Sequence, residues 1–143
     1  MNVSKWIKDI IASDKSLSMP IMTHPGIELL GKKVLDAVID GEVHFQAIRA
    51  LNERFPKAMA CTAIMDLTVE AEAFGAQLCM SEHEVPTVTG RLLTSFEDVD
   101  ALQIPSLDNA RVPQYLKANA LAAAGINLSL IHISEPTRLQ LIS

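Results

Sequence analysis

The stretch Ala63-Ile64-Met65-Asp66-Leu67-Thr68-Val69-Glu70-Ala71-Glu72-Ala73-Phe74-Gly75, continued through Val85-Pro86-Thr87-Val88-Thr89-Gly90, decides the fold. The apolar, β-branched run from Ala60 to Met65 ends abruptly in a carboxylate, Asp66. A short helical pattern, Leu67 to Phe74, follows and closes at Gly75, a natural C-cap. Carboxylates at the C-terminal ends of buried strands are where barrel enzymes keep their chemistry.

Upstream, Met59 to Met65 is expected to be the second of two strands. The first is Met19 to Met22, with Pro20 at its beginning, where a missing N–H is tolerated. Thr23-His24-Pro25-Gly26 then forms a turn. Helical spacing recurs over Ser4 to Ala12, with Ser4 as N-cap, and over Ile27 to Ile39, interrupted at Gly31. Asp40 is the next N-cap candidate. Glu42 to Phe55 is the clearest helix, with Val43, Ala47, Ala50, Leu51 and Phe55 on one apolar face. This arc places His44 at the surface, and Pro56 stops the helix. Strand, helices and strand make a βαβ unit, so the two strands should be parallel.

Downstream, Ala76 to Met80 and Val85 to Leu93 read as extended segments around the polar loop Ser81-Glu82-His83-Glu84, forming a hairpin or flap. Ser95-Phe96-Glu97-Asp98 begins a short helix like a capping box. Asp108 to Ala124 is a last amphipathic helix, with Val112, Tyr115, Leu116, Ala120 and Ala123 inward.

These residues together resemble the uroporphyrinogen decarboxylase superfamily: a strand ending in Asp66, a short apolar helix ending in Phe74-Gly75, and an extended arm carrying Pro86. The resemblance implies an α/β fold, the N-terminal part of a (β/α)₈ TIM barrel, truncated. It also implies an enzyme. Where the decarboxylase carries an Arg-Gln-Ala-Gly-Arg-type loop, this chain has Thr23-His24-Pro25-Gly26-Ile27, neutral at both arginine positions. Arginine is the natural clamp for carboxylates. Its loss points to the methyltransferase-like branch, which moves a methyl group from a corrinoid to a thiol. That branch uses zinc and a corrinoid, with zinc ligands on later strands, and a corrinoid protein as a possible partner. The alternatives are a cofactor-free decarboxylase of porphyrin synthesis acting on a tetrapyrrole, and a non-catalytic tetrapyrrole-binding protein.

Length agrees with a partial barrel, since a closed one typically needs about 250 residues. Leu128 to Arg138 reads Leu-Ser-Leu-Ile-His-Ile-Ser-Glu-Pro-Thr-Arg, which resembles the translation of a transposase adapter from sequencing libraries. Residues 1–127 are therefore expected to be the barrel fragment and 128–143 a non-native tail that packs on nothing. The fragment alone is expected to be inactive.

The net charge of −5, without a basic cluster, argues against nucleic acid. An aromatic content of 4% offers no base-stacking platform. No apolar run reaches the ~18 residues of a membrane span, and no signal-peptide core opens the chain, so the expected location is cytoplasmic. Cys61 and Cys79 lack metal-type spacing and are expected to serve packing in a reducing compartment.

Asp66 is the catalytic candidate. At a barrel mouth it can accept ligand N–H groups or offset a developing cation. The competing reading is an Asp that caps the following helix, and there Asn would serve about as well. The resemblance favours the site role, because the matching Asp of the decarboxylase binds pyrrole N–H groups. His24, its neighbour Thr23, and Met65 beside Asp66 are the substrate-binding candidates. Glu70 and Glu72, two apart on a short helix, are expected on opposite sides and in solvent. Glu82, His83 and Glu84 read as a solvated loop.

Overall fold

The computed structural model describes residues 3–13, 18, 20–58, 60–126 and 129–130. Seven helices appear among them: α1 (Val3–Ile11), α2 (His24–Leu29), α3 (Val34–Ile39), α4 (Gly41–Arg54), α5 (Thr68–Ala73), α6 (Phe96–Ala101) and α7 (Val112–Gly125). The strands are β1 (Ala60–Cys61), β2 (Gln77–Cys79), β3 (Thr87–Thr89) and β4 (Ser129–Leu130).

Helix α4 is central. The Asp40 side chain caps it by accepting the Glu42 N–H at 2.8 Å. Helix α2 packs against it so closely that a Cβ at Gly26 would stand 2.1 Å from the Ala47 carbonyl oxygen. On its other side lies α7, whose Gln114 side chain accepts the Gly41 N–H at 3.0 Å. Two apolar clusters result. Ile27, Val34, Val38, Ala47 and Ile64 fill one, and Phe45, Ile48, Cys61, Ala122 and Ile126 fill the other.

Being covered on two sides, α4 buries a wider arc than a single apolar stripe. This corrects the expectation for His44, which is fully buried; Phe55, expected on the apolar face, lies just past the end of α4 and is exposed. Helix α7 and its N-cap residue Arg111 turn inward through Arg111, Tyr115, Ala118 and Ala122, whereas Leu116, Ala120 and Ala123 are exposed. The expected stripe was off because Arg111, a charged residue, is the one that anchors the inner face.

The expected parallel pairing of Met19–Met22 with Met59–Met65 is not what forms. Pro20, Ile21 and Met22 make no strand ladder, and Met19 and Met59 lie outside the described residues. The tie at this place is a side-chain one, with Thr23 Oγ1 donating to the Thr62 carbonyl at 2.8 Å. Instead, β1 pairs in parallel with β4, Ala60 opposite Ser129 and Cys61 opposite Leu130. So two residues of the segment expected to pack on nothing do pair. The ladder uses main-chain groups that any residue except proline supplies in full.

The hairpin is as expected, with β2 and β3 antiparallel and Gln77 opposite Thr89. Gly75 follows α5 at φ +100°, a conformation that suits glycine at a C-cap. The Ser95/Asp98 capping box opens α6, and Gly31 at φ +63° separates α2 from α3. Cys61 is in the core, but Cys79 is exposed on the hairpin, against the packing role expected of both. No described helix is long and apolar enough to cross a membrane.

Candidate functional site

The irregular chain after β1 carries Ile64, Met65 and Asp66 to the wall of an open cleft of about 820 Å³. Helix α5 forms a second wall with Val69, Glu70 and Phe74, and α7 a third with Val112, Tyr115 and Asn119. Ile104, Pro105, Ser106 and Leu107 close one side. Ile104 is 92% exposed and Leu107 67%, so this rim is apolar yet open to solvent.

Of the expected site residues, the structure brings Met65 and Asp66 to this cleft. Thr23 and His24 are not among its lining residues. Thr23 is buried and spends its hydroxyl on Thr62, while His24 is exposed at the start of α2. Glu82, His83 and Glu84 are exposed, and Glu82 pairs with Lys33 at 2.6 Å.

Asp66 is held on both oxygens. Its Oδ1 accepts the Thr68 N–H at 3.0 Å and the Thr68 hydroxyl at 2.6 Å. Its Oδ2 accepts Arg111 Nη1 at 2.6 Å and the Tyr115 hydroxyl at 2.9 Å. A carboxylate offers about four lone-pair directions, and here four donors from the chain itself meet them. The capping contact to α5 and a place on the cleft wall thus coexist in one residue. Burial works to raise the Asp66 carboxyl above its usual range. The donors Thr68, Arg111 and Tyr115 outweigh burial and hold it lower, so Asp66 is ionised at neutral pH.

Arg111 is the functional-looking residue that the sequence did not disclose. Its guanidinium also donates Nε to Glu72 at 2.6 Å and Nη2 to the Thr68 hydroxyl at 2.8 Å. Glu72 is therefore paired and half-buried, which corrects its expected solvated place; Glu70 is exposed as expected. Burial opposes the charge on Arg111, but Asp66 and Glu72 more than compensate. The available signal was Arg111 itself, four residues before Tyr115 and so on the same helix face. Burial, reinforced by the nearby Asp66 charge, pushes the Tyr115 phenol well above its usual range, so it stays a hydrogen-bond donor. Its ring meets that of His44 edge-on, with centroids 5.1 Å apart.

Chemically, the cleft is an apolar groove with one fixed, buried negative charge behind its wall and a second carboxylate, Glu70, at its face. Its described lining contains Asp66 and Glu70 and neither Lys nor Arg.

No curated protein matches the chain. Among solved structures, a methyltransferase from Methanosarcina mazei is similar, with a TM-score of 0.69 and 21% sequence identity. The similarity covers 82% of this chain and 36% of that one, so the chain spans about a third of that structure's length. At this identity the likeness shows the fold, an α/β arrangement matching the N-terminal part of a (β/α)₈ barrel. The family described as uroporphyrinogen decarboxylase (URO-D) matches residues 21–134, most of the sequence, and the chain belongs to that family.

Proposed function

We propose that the whole protein to which this chain belongs is an enzyme of the methyltransferase-like branch, moving a methyl group from a corrinoid to a thiol. The observation that carries this reading is the charge of the cleft. Uroporphyrinogen bears many carboxylates, and sites for such ligands use cationic clamps. The described cleft lining has two carboxylates and no cation, and the nearby Arg111 is already engaged by Asp66 and Glu72. A polyanion therefore meets no free cationic clamp in the described lining, while a macrocycle presenting an apolar face is compatible with Ile64, Met65, Phe74 and Leu107. The similar methyltransferase fold adds support.

A bound corrinoid would supply the methyl group. The chain's own residues provide a wall for it. Arg111, Thr68 and Tyr115 keep Asp66 charged and fixed, so that positive charge developing nearby is stabilised without reorganisation. Zinc would be held by ligands on later strands, outside this chain; among the described residues no group of three His, Cys, Asp or Glu could hold a metal ion. Decarboxylation of a tetrapyrrole carboxylate is the alternative, favoured by the family match.

The test uses the whole protein with methylcobalamin and a thiol, and separately with uroporphyrinogen. Thiol methylation without loss of carbon dioxide is expected. Decarboxylation without methyl transfer would overturn the reading.

A further inference from the structure

Resting on the cleft as the site, we infer that His44 is a positioning residue that sets where Asp66 stands. Although it lies on α4, outside the cleft's lining, its fully buried ring touches both the segment that carries Asp66 and the tyrosine that bonds it. Its Nε2 accepts the Ile64 main-chain N–H at 2.9 Å, two residues before Asp66. Its edge meets Tyr115, whose hydroxyl bonds Asp66 Oδ2. One imidazole thus links the strand end to α7 at the point where they converge on the carboxylate.

The bond fixes the tautomer. A main-chain N–H can only donate, so Nε2 carries no proton and Nδ1 does. That Nδ1–H is buried and has no partner among the described residues. An unpartnered buried donor is costly, and an apolar side chain would avoid the cost. What the imidazole provides in exchange is a rigid acceptor aimed at Ile64. Without it, the Ile64 N–H would itself be a buried orphan, and the chain entering Asp66 would be free to shift. Burial also keeps the ring neutral, as this geometry requires, by lowering its pKa to about 4.

The experiment uses NMR on the 143-residue chain with His44→Gln and His44→Phe. Glutamine can place an acceptor near the Nε2 position; phenylalanine keeps the volume and loses the acceptor. In the unmodified chain, long-range proton–nitrogen spectra should place the proton on Nδ1. In His44→Phe, amide exchange at Ile64 should rise roughly tenfold or more, the loss of one buried hydrogen bond. The Asp66 carboxyl titration should shift upward as its donors lose alignment. In His44→Gln, both should stay near the original values. A residue that only fills space would leave Ile64 exchange and the Asp66 titration unchanged in His44→Phe, and that result overturns the inference. So does a proton on Nε2 in the unmodified chain, a measurement that stands even if neither variant folds. None of these readouts involves turnover, so an error in the assigned reaction would not be mistaken for an error here.

Discussion

Arg111→Leu removes the cation at the centre of the buried network. Arg111 donates to Asp66 and Glu72, each at 2.6 Å, and to Thr68 at 2.8 Å. The Arg111 side chain is 7% exposed and that of Asp66 0%, so water cannot replace the lost donor at Asp66. Glu72, at 27%, can recover hydration and adds little to the loss. Removing one partner of a buried pair costs ~3–5 kcal/mol. Asp66 keeps Thr68 and Tyr115, which places the expected loss near ~3 kcal/mol at pH 7, the low end of that range. Domains are typically stable by ~5–15 kcal/mol, so the variant should remain measurable but marginal. Replacing Asp66 by Leu as well removes the stranded charge and should recover much of the loss, since apolar replacement of a whole buried pair is often neutral. The assay is urea denaturation followed by circular dichroism. A loss below ~1 kcal/mol for the single variant, the level of an exposed ion pair, would refute the buried network.

Asp66→Asn should be more damaging than the cap-only reading allows, because its amide turns a donor toward either Arg111 and Tyr115 or Thr68; stability equal to the parent would refute this. Tyr115→Phe should keep the ring contact with His44 and cost ~1.5–3 kcal/mol, the range for hydrogen bonds to charged groups, read by denaturation. Stability should fall with acid between pH 6.5 and about 4, because the unfolded chain protonates His44 before the folded one does. The full drop is roughly 3 kcal/mol, from the difference between the two pKa values. It levels off below that window, where Asp66, also depressed, begins to contribute in the same direction. His44→Gln should flatten that part of the pH–stability curve, and an unchanged slope would count against a neutral buried ring. Gly26→Ala should destabilise the chain by ~1–3 kcal/mol through overpacking of α2 on α4, which thermal melting would report.

The sequence by itself determined the local features whose signals are short-range. Asp40 begins α4, Gly75 ends α5, Ser95 and Asp98 box the start of α6, and the polar turn at residues 81–84 joins two extended arms. Each depends on contacts within a few residues, so spacing and residue type suffice. Asp66 was legible for the same reason, as an abrupt polar stop to an apolar run. The tertiary structure alone decided what surrounds it. Arg111 comes from 45 residues away in the chain and is buried only because two carboxylates neutralise it. A charged residue ordinarily marks an exposed face, so periodicity pointed the wrong way on α7. His44 was misplaced because α4 is covered on two sides, which amphipathic spacing cannot encode. The partner of β1 was equally hidden. Strand pairing joins main-chain groups that all non-proline residues share, so Ser129 and Leu130 carry no side-chain label naming Ala60 and Cys61 as their neighbours.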